Sequence, residues 1–308
     1  MALPSSIDTA FCRQYGSQIY VLAQQTKSKF APWVRKESVV GASAKSFDRL
    51  GETEGEDMTT RHGPTPNYEF PHTRRWVQPV FHHTSSLIDD TDKLQTLIDP
   101  QNAYAQGQAA YFGRWIDDKI IAAALGDAAA GVMPTTSTIA FKDESISING
   151  DGTATTLGTL AAVTTIVDIT LAKMALMGRI FDEEDVDPEE PRYWACTPKD
   201  VEDLLQLTQV GSADYNTVKV LQTGKMSFFM GFNWLVSNRL TKDAVGSTGY
   251  RNFAFMRDGI ILGRHEEMFT RITEESTLSY STRVYARTSG GAVRMDGAKV
   301  HECLNKVA

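Results

Sequence analysis

Residues 37–85 constrain the fold more than any other stretch, because they describe a hairpin that cannot bury itself. Val39-Val40 and Phe47 lie in an extended run. A tip follows, first acidic as Gly51-Glu-Thr-Glu-Gly55-Glu-Asp, then rich in turn formers as Gly63-Pro64-Thr-Pro66-Asn67. Tyr68, Phe70, His72, Arg74 and Trp76 then alternate with other side chains through Val80-Phe81, the period-two pattern of a strand. Two strands around so long a tip are marginal alone in water. The hairpin therefore needs a partner surface, in its own body or in another subunit.

The segments around it supply a body. Ahead of it, Ser6 caps a helix with Ile7, Phe11, Tyr15, Ile19 and Leu22 on one face. A basic aromatic tether then runs from Lys27 to Lys36 through Pro32. Such an arm docks on its own domain or, with a proline-containing tether, on a neighbour. Behind the hairpin, Ser86–Leu97 reads as a short helix. Asp99-Pro100 then pairs an N-cap with proline at the first helical position. From there to Gly126 an apolar stripe of Ala105, Ala109, Phe112, Ile116, Ile120 and Ala123 marks a helix about 40 Å long at ~1.5 Å per residue. Gly107 and Gly113 interrupt it at a tolerable energetic cost.

Further on, Ser137–Phe141 and Glu144–Ile148 read as a strand pair before the turn Asn149-Gly150-Asp151-Gly152. Val163, Val167, Thr170, Leu171, Met174, Gly178 and Phe181 line a second helix. The run 182–190 is strongly acidic but lacks the glycine-bearing loop of a calcium site, so it reads as a solvated loop. Arg192–Cys196 is a buried-type strand, and Thr197 with Asp200 has capping-box spacing. Lys225–Met230 and Phe232–Ser237 are strands hinged at Gly231. Residues 251–267 combine the strand Asn252–Met256 with a short helix. Leu278, Tyr280, Thr282, Val284 and Ala286 predict a long strand over 277–288. Gly290-Gly291 is expected to turn it back into Ala292–Met295, and Lys299–Leu304 closes the sequence.

Composition narrows the function classes. Thirty-one Lys and Arg against 38 Asp and Glu give a net charge of −7, which argues against a dedicated nucleic-acid binder. Cys12, Cys196 and Cys303 lie far apart and match no zinc spacing, so reduced thiols are expected. Met1-Ala-Leu-Pro-Ser-Ser lacks the basic start and apolar run of a signal peptide, and no apolar stretch is long enough to span a bilayer. The expectation is a soluble, intracellular product. His62, His72, His82 and His83 cluster in sequence, but neighbours on a strand point to opposite faces, so His82 and His83 cannot easily share an ion. There is no phosphate-cradling loop, nucleophile elbow or H-E-x-x-H, so no catalytic residue, metal or cofactor is expected.

In the order of its segments the chain resembles the major capsid proteins of tailed bacteriophages, those with the Hong Kong-type capsid fold. Two stretches carry the likeness locally: Tyr193-Trp-Ala-Cys-Thr197-Pro198-Lys-Asp-Val-Glu-Asp-Leu204-Leu205, and Thr223-Gly224-Lys-Met-Ser-Phe-Phe-Met-Gly231-Phe232-Asn-Trp-Leu-Val-Ser237-Asn238-Arg-Leu240. The resemblance implies an α+β fold with an N-terminal arm over 1–36 and an extended β-hairpin loop over 37–85. It places a spine helix and peripheral-domain segments in 86–160, an axial domain in 161–250, and peripheral strands in 251–308. It implies a virion protein assembled in the host bacterial cytoplasm as hexamers and pentamers of an icosahedral head around double-stranded DNA, bound without sequence specificity. The partners implied are further copies of itself, a separate scaffolding protein (no fused scaffold segment is apparent), a portal protein and a decoration or cement protein. No membrane is involved.

On this resemblance the residues of interest are interface residues. Phe70, Trp76 and Phe81 would anchor the hairpin on a neighbour, and Lys45, Arg49, Arg74 and Arg75 would meet acidic rims, since arginine and aromatic residues favour interface centres. Trp76 and Phe81 could equally be core residues under a long loop. The turn at Gly290 and Gly291, with Arg287, Arg294 and Lys299, would lie where threefold-related domains meet. Some family members cross-link a loop lysine to an asparagine of another subunit. Lys45 lies in the right element, but no partner is apparent, so non-covalent contacts are expected. Two rival readings are a bacterial nanocompartment shell of the encapsulin type and a phage-encoded enzyme or adhesion module using the histidines.

Overall fold

The computed structural model describes residues 24–40, 42–61, 63, 65, 67–89, 101–132, 135–155, 166–206, 228–242, 249–265 and 268–306. The predicted long helix is helix α1, Gln101–Leu125. Phe112, Ile116, Ile120 and Ala124 are buried along it, and Ile121 and Leu125 widen the stripe to the face of a core helix. Ala123 is only half-buried, its neighbour Ala124 taking the inward place. The arm helix and the Asp99-Pro100 cap lie outside the described residues.

The hairpin forms, but its second strand begins at His72, and Tyr68 and Phe70, where the alternation starts, lie outside it. Strands β1 (Arg35–Ser38), β2 (Lys45–Leu50) and β3 (His72–Val77) come in order, and β2 pairs antiparallel with β3 from Lys45 opposite Val77 to Leu50 opposite His72. The strand expected to run on through Phe81 breaks at Gln78-Pro79, where proline offers no ladder donor. The chain there leaves the hairpin's sheet and enters another as β4, Val80–Ile88. Strand β4 therefore occupies Ser86–Ile88, where a helix was expected, because every residue from Val80 to Ile88 finds a partner on a long neighbouring strand. Residues 90–97 of that expected helix lie outside the described residues.

A second expectation also gives way. Ser137–Phe141 does not pair with Glu144–Ile148: β5 (Ala128–Val132) pairs with β6 (Thr135–Ile139), and a single helical turn, α2 (Phe141–Glu144), follows. The alanine-rich β5 has little strand propensity of its own, so its pairing is set by tertiary context. Strands β2, β3, β5 and β6 form a four-stranded sheet in that order. Strand β7 (Ser147–Ile148) leads into the expected turn, where the Gly152 N–H donates to the Asn149 carbonyl at 3.0 Å. Helix α3 (Leu171–Glu183) starts later than its apolar spacing suggests. Residues 166–170 are not helical, and Thr170 caps the helix, accepting from the Lys173 N–H at 3.3 Å. Val163 lies outside the described residues.

Strand β8 (Arg192–Cys196) and helix α4 (Pro198–Gln206) match their patterns, and the capping box closes: the Thr197 N–H donates to Asp200 Oδ2 at 2.7 Å and the Asp200 N–H to Thr197 Oγ1 at 3.4 Å. Strands β9 (Phe228–Phe229) and β10 (Phe232–Val236) flank Met230 and Gly231, both at positive φ, as a tight hairpin turn requires. Residues 225–227 are not described. Strand β11 (Gly249–Met256) is followed by one 3-10 turn, Arg257–Gly259, in place of the expected short helix, and then by β12 (Ile260–Arg264).

Strands β13 (Phe269–Glu275), β14 (Ser281–Arg294) and β15 (Val300–Lys306) complete the chain. The Gly290-Gly291 turn does not exist. Both glycines lie inside β14, Gly291 opposite Gly263, and Ala292–Arg294 continues the same strand. They answer a close approach instead: a Cβ on Gly291 would lie 2.6 Å from the Gln78 carbonyl oxygen, and one on Gly290 3.0 Å from the Trp115 ring.

A six-stranded sheet, β7-β15-β11-β8-β10-β9, forms the centre. Its period-two alternation feeds two cores. Phe253 and Phe255 of β11 join Ile116 and Ile120 of α1, whereas Ala254 and Met256 join Met174, Met177 and Phe181 of α3. Strand β11 pairs with both β15 and β8, so residues 192–196, 249–256 and 300–306 share one sheet. The third sheet runs β1-β12-β14-β13, with β4 on β14.

Candidate assembly surfaces

The tether is fixed to helix α1 by one carboxylate. Asp117 is fully buried on α1 and accepts hydrogen bonds from Gln25 Nε2, Ser28 Oγ, the Lys29 N–H at 3.0 Å and the Phe30 N–H at 3.2 Å. The chain crosses the helix at Gly113, where a Cβ would lie 3.0 Å from Lys27 C and Ser28 N. Phe30 then enters the core against Phe253, ring centroids 5.9 Å apart. Arg114 holds the Gln25 carbonyl at 3.1 Å. The tether therefore docks on its own body at residues 25–34, and β1 pairs in parallel with β12.

The base of the hairpin is clamped by buried charge. Arg75 is fully buried and pairs with Glu144 of α2, and Arg294 of β14, also fully buried, has Nε 3.7 Å from the same carboxylate. Arg294 also donates to the Gly126 carbonyl at 2.6 Å and lies over the Phe141 ring at 5.0 Å. Burial pulls the pKa of both guanidiniums below the usual arginine value, with Glu144 opposing the shift. Arg49 Nη1 donates to the Met295 carbonyl at 2.5 Å and lies 3.7 Å from Glu144. One carboxylate thus gathers cations from β2, β3 and β14 and ties the hairpin to the end of helix α1.

Beyond the clamp the hairpin opens to solvent. Arg74 pairs with Asp48, which holds the Asp48 carboxyl below the usual carboxylate range. Lys45 Nζ bonds Glu37 at 3.0 Å. Trp76 Nε1 donates to the Gly131 carbonyl at 2.6 Å, so Trp76 fastens β3 to β5 within the chain. Phe70 (49% exposed) and the tip residues 51–61 are exposed.

The long-strand sheet carries histidines on both faces. His82 stacks on Trp115 of α1 (4.8 Å, 8°) with Nε2 2.8 Å from Tyr111 Oη, whereas His83 lies on the other face near Tyr285. Phe81, 58% exposed, stacks on His265 at 5.3 Å. Among the described residues no three His, Cys, Asp or Glu side chains are placed to hold a metal ion, and no helix is long and apolar enough to cross a membrane. Arg287 lies over the Phe269 ring at 4.8 Å, and Lys299 bonds Glu190 of the acidic run at 2.6 Å.

Of the residues singled out by sequence, Arg75, Arg294, Gly290 and Gly291 are thus buried contacts within one chain and not rim residues, because folding gives their charge or small size an internal use. The sequence pattern alone does not single out the carboxylates Asp117 and Glu144. An acid following Ile116 in an otherwise apolar stripe was the signal for the first.

A family model described as phage capsid protein matches residues 7–307. The chain belongs to the phage capsid protein family. No curated protein matches its sequence. Solved capsid structures share its fold at low identity. That of cyanophage P-SCSP1u aligns over 99% of this chain and 96% of its own with TM-score 0.70 at 15% identity. That of Helicobacter pylori bacteriophage KHP30 aligns over 99% and 98% with TM-score 0.71 at 8% identity, and that of Ralstonia phage GP4 over 100% and 98% with TM-score 0.68 at 12% identity. The chain is a major capsid structural protein of the virion, with the homo-oligomeric shell that this entails, and not an enzyme. The family match also decides against the nanocompartment and adhesion readings.

Proposed function

We propose that this phage capsid protein assembles as hexamers and pentamers into an icosahedral head around double-stranded DNA. Assembly takes place in the host bacterial cytoplasm, with a separate scaffolding protein, a portal protein and a decoration or cement protein as partners. The observation that carries this reading is the hairpin. Its base is fixed by the Arg75–Glu144–Arg294 cluster, while its tip is exposed from residue 51 to 61, so it is a rigidly rooted element without a surface of its own. A neighbouring subunit supplies that surface, with Phe70 and Phe81 as apolar contacts and Lys45, Arg74, Arg287 and Lys299 as polar ones. Each exposed ion pair contributes only about 0–1 kcal/mol, but a closed shell repeats it in every copy, and weak contacts let mispaired subunits detach.

Electron microscopy of the purified protein, alone and with the scaffolding candidate, tests this. Shells or capsomer rings are expected; stable monomers under every assembly condition would sink it. Lys45 is engaged by Glu37, and assembled particles are expected to run as a single band at monomer mass on a denaturing gel.

A further inference from the structure

Lys173 occupies a place that suits a cation poorly. It lies in the first turn of α3, where the helix dipole opposes positive charge, and its side chain is buried. Burial pulls its pKa below the usual lysine value. Its Nζ donates to the Leu304 carbonyl at 2.8 Å, the Val167 carbonyl at 2.9 Å and Asn305 Oδ1 at 3.2 Å. A neutral amine has two hydrogens and one lone pair. Hydrogens on the two nearer carbonyls leave the lone pair directed at the Asn305 amide. With Oδ1 at 3.2 Å and a C=O bond of ~1.23 Å, the amide carbon lies within about 4.4 Å of Nζ. A shift of at most about 1 Å reaches the ~3–3.5 Å of a near-attack contact.

The amide is held from its other end by a carboxylate. Asn305 Nδ2 donates to Asp200 Oδ1 at 2.9 Å. Asp200 is itself fixed, its Oδ2 accepting from the Thr197 N–H at 2.7 Å and from Asn252 Nδ2 at 2.8 Å. Cys303, two residues before Asn305 and so on the same face of β15, directs its thiol at Asn305 Oδ1 at 3.6 Å. Burial pushes the thiol pKa up to about 12, so it stays a donor. Lys173, Asp200, Cys303 and Asn305 are all buried, which keeps competing water from the amide carbon.

We infer that Lys173 and Asn305 join in an isopeptide bond within the chain, with Asp200 as the catalytic carboxylate. The free amine attacks Asn305 Cγ, and the carbonyl electron pair moves to Oδ1, where the Cys303 S–H donates. Both nitrogens then sit on one carbon beside Asp200 Oδ1, which takes a proton from Nζ and delivers it to Nδ2. The Cγ–Nδ2 bond breaks, the carbonyl reforms, and ammonia leaves with the proton first shed by the Lys173 ammonium. Lysine ammonium and asparagine amide thus give a secondary amide and ammonium, with no change of oxidation state and no co-reactant. The bond ties the start of α3 to β15. It involves neither Lys45 nor a second subunit, so it does not depend on assembly.

Mass spectrometry of the denatured full-length protein tests the inference. The chain is expected to weigh one ammonia less than its sequence requires, and trypsin should release a branched peptide joining Val300–Lys306 to the peptide that holds Lys173. A full sequence mass, with Val300–Lys306 released as a free linear peptide, overturns the inference and leaves the cluster a hydrogen-bond network. This readout needs no variant and survives any failure of a variant to fold.

Two variants assign the atoms. Lys173→Arg keeps a cation but removes the nucleophile, and should restore the full mass. Loss of ammonia that persists in it marks succinimide formation at an asparagine and overturns the inference. Asp200→Asn, its fold checked by circular dichroism, should form the bond roughly 100-fold more slowly in freshly synthesised protein. An unchanged rate overturns the part given to Asp200.

Discussion

Replacing Asp117 by alanine should loosen the tether from helix α1 at a cost that can be worked from its hydrogen bonds. The carboxylate is fully buried and serves two backbone N–H groups, those of Lys29 and Phe30, besides Gln25 and Ser28. A buried donor left without an acceptor costs about 1–3 kcal/mol. Gln25 and Ser28 can turn to water, so the two backbone groups set the scale, at about 3 kcal/mol in total. Asp117→Asn keeps one acceptor oxygen but turns an NH2 toward the same donors, and should fall between wild type and alanine. Urea unfolding of the unassembled chain gives the magnitude. Hydrogen exchange gives the location: amides 29 and 30 should lose protection while those of β8 and β11 keep theirs, because the damage is local. Unchanged stability together with unchanged protection at Lys29 and Phe30 would show that the carboxylate does not hold the tether.

Three further outcomes follow from neighbouring features. Glu144→Gln leaves Arg75 and Arg294 buried without their carboxylate and should destabilise the chain by about 3 kcal/mol, the lower end for a broken buried pair since Glu144 is partly exposed; thermal unfolding measures it. Gly113→Ala places a methyl 3.0 Å from the tether backbone and should destabilise by about 1–3 kcal/mol, whereas Gly107→Ala, with nothing within 4 Å, should stabilise by up to about 1 kcal/mol. Equal effects at the two glycines would refute the close crossing at Gly113. His301 is buried and its pKa is pushed down from 6.5 to about 4, because burial disfavours the imidazolium. Its Nδ1 accepts from the Ile146 N–H, and its Nε2 donates to the Ala298 carbonyl, so the neutral ring uses both nitrogens. Between these two values the unfolded chain binds the proton that the folded chain refuses. Stability at His301 is therefore undiminished above pH ~6.5 and falls by about 3 kcal/mol as pH drops to ~4; a His301→Gln variant should show a shallower loss in pH-dependent unfolding.

Where local chemistry decides the structure, the sequence is a good guide. Arg192–Cys196 is apolar enough to be a buried strand whatever surrounds it, Thr197 and Asp200 cap the next helix by themselves, and the long stripe of α1 admits no other period. Where a partner decides, the same residues mislead. Gly290-Gly291 has the composition of a turn, yet its smallness serves the Gln78 carbonyl and Trp115, which approach from distant parts of the chain. Arg75 and Arg294 alternate like outward-facing strand residues, and only the arrival of Glu144 from α2 makes their burial tolerable.

The place of β15 bears on the timing of synthesis. Residues 300–306 are made after every other described strand, yet they lie inside the six-stranded sheet between β7 and β11, with Val300, Cys303 and Leu304 buried. Until they leave the ribosome, β11 has an open edge and both cores lack a wall. The central sheet is therefore closed only by the last of the described residues, whereas the Asp117 and Glu144 contacts that hold the tether and hairpin are made by earlier ones.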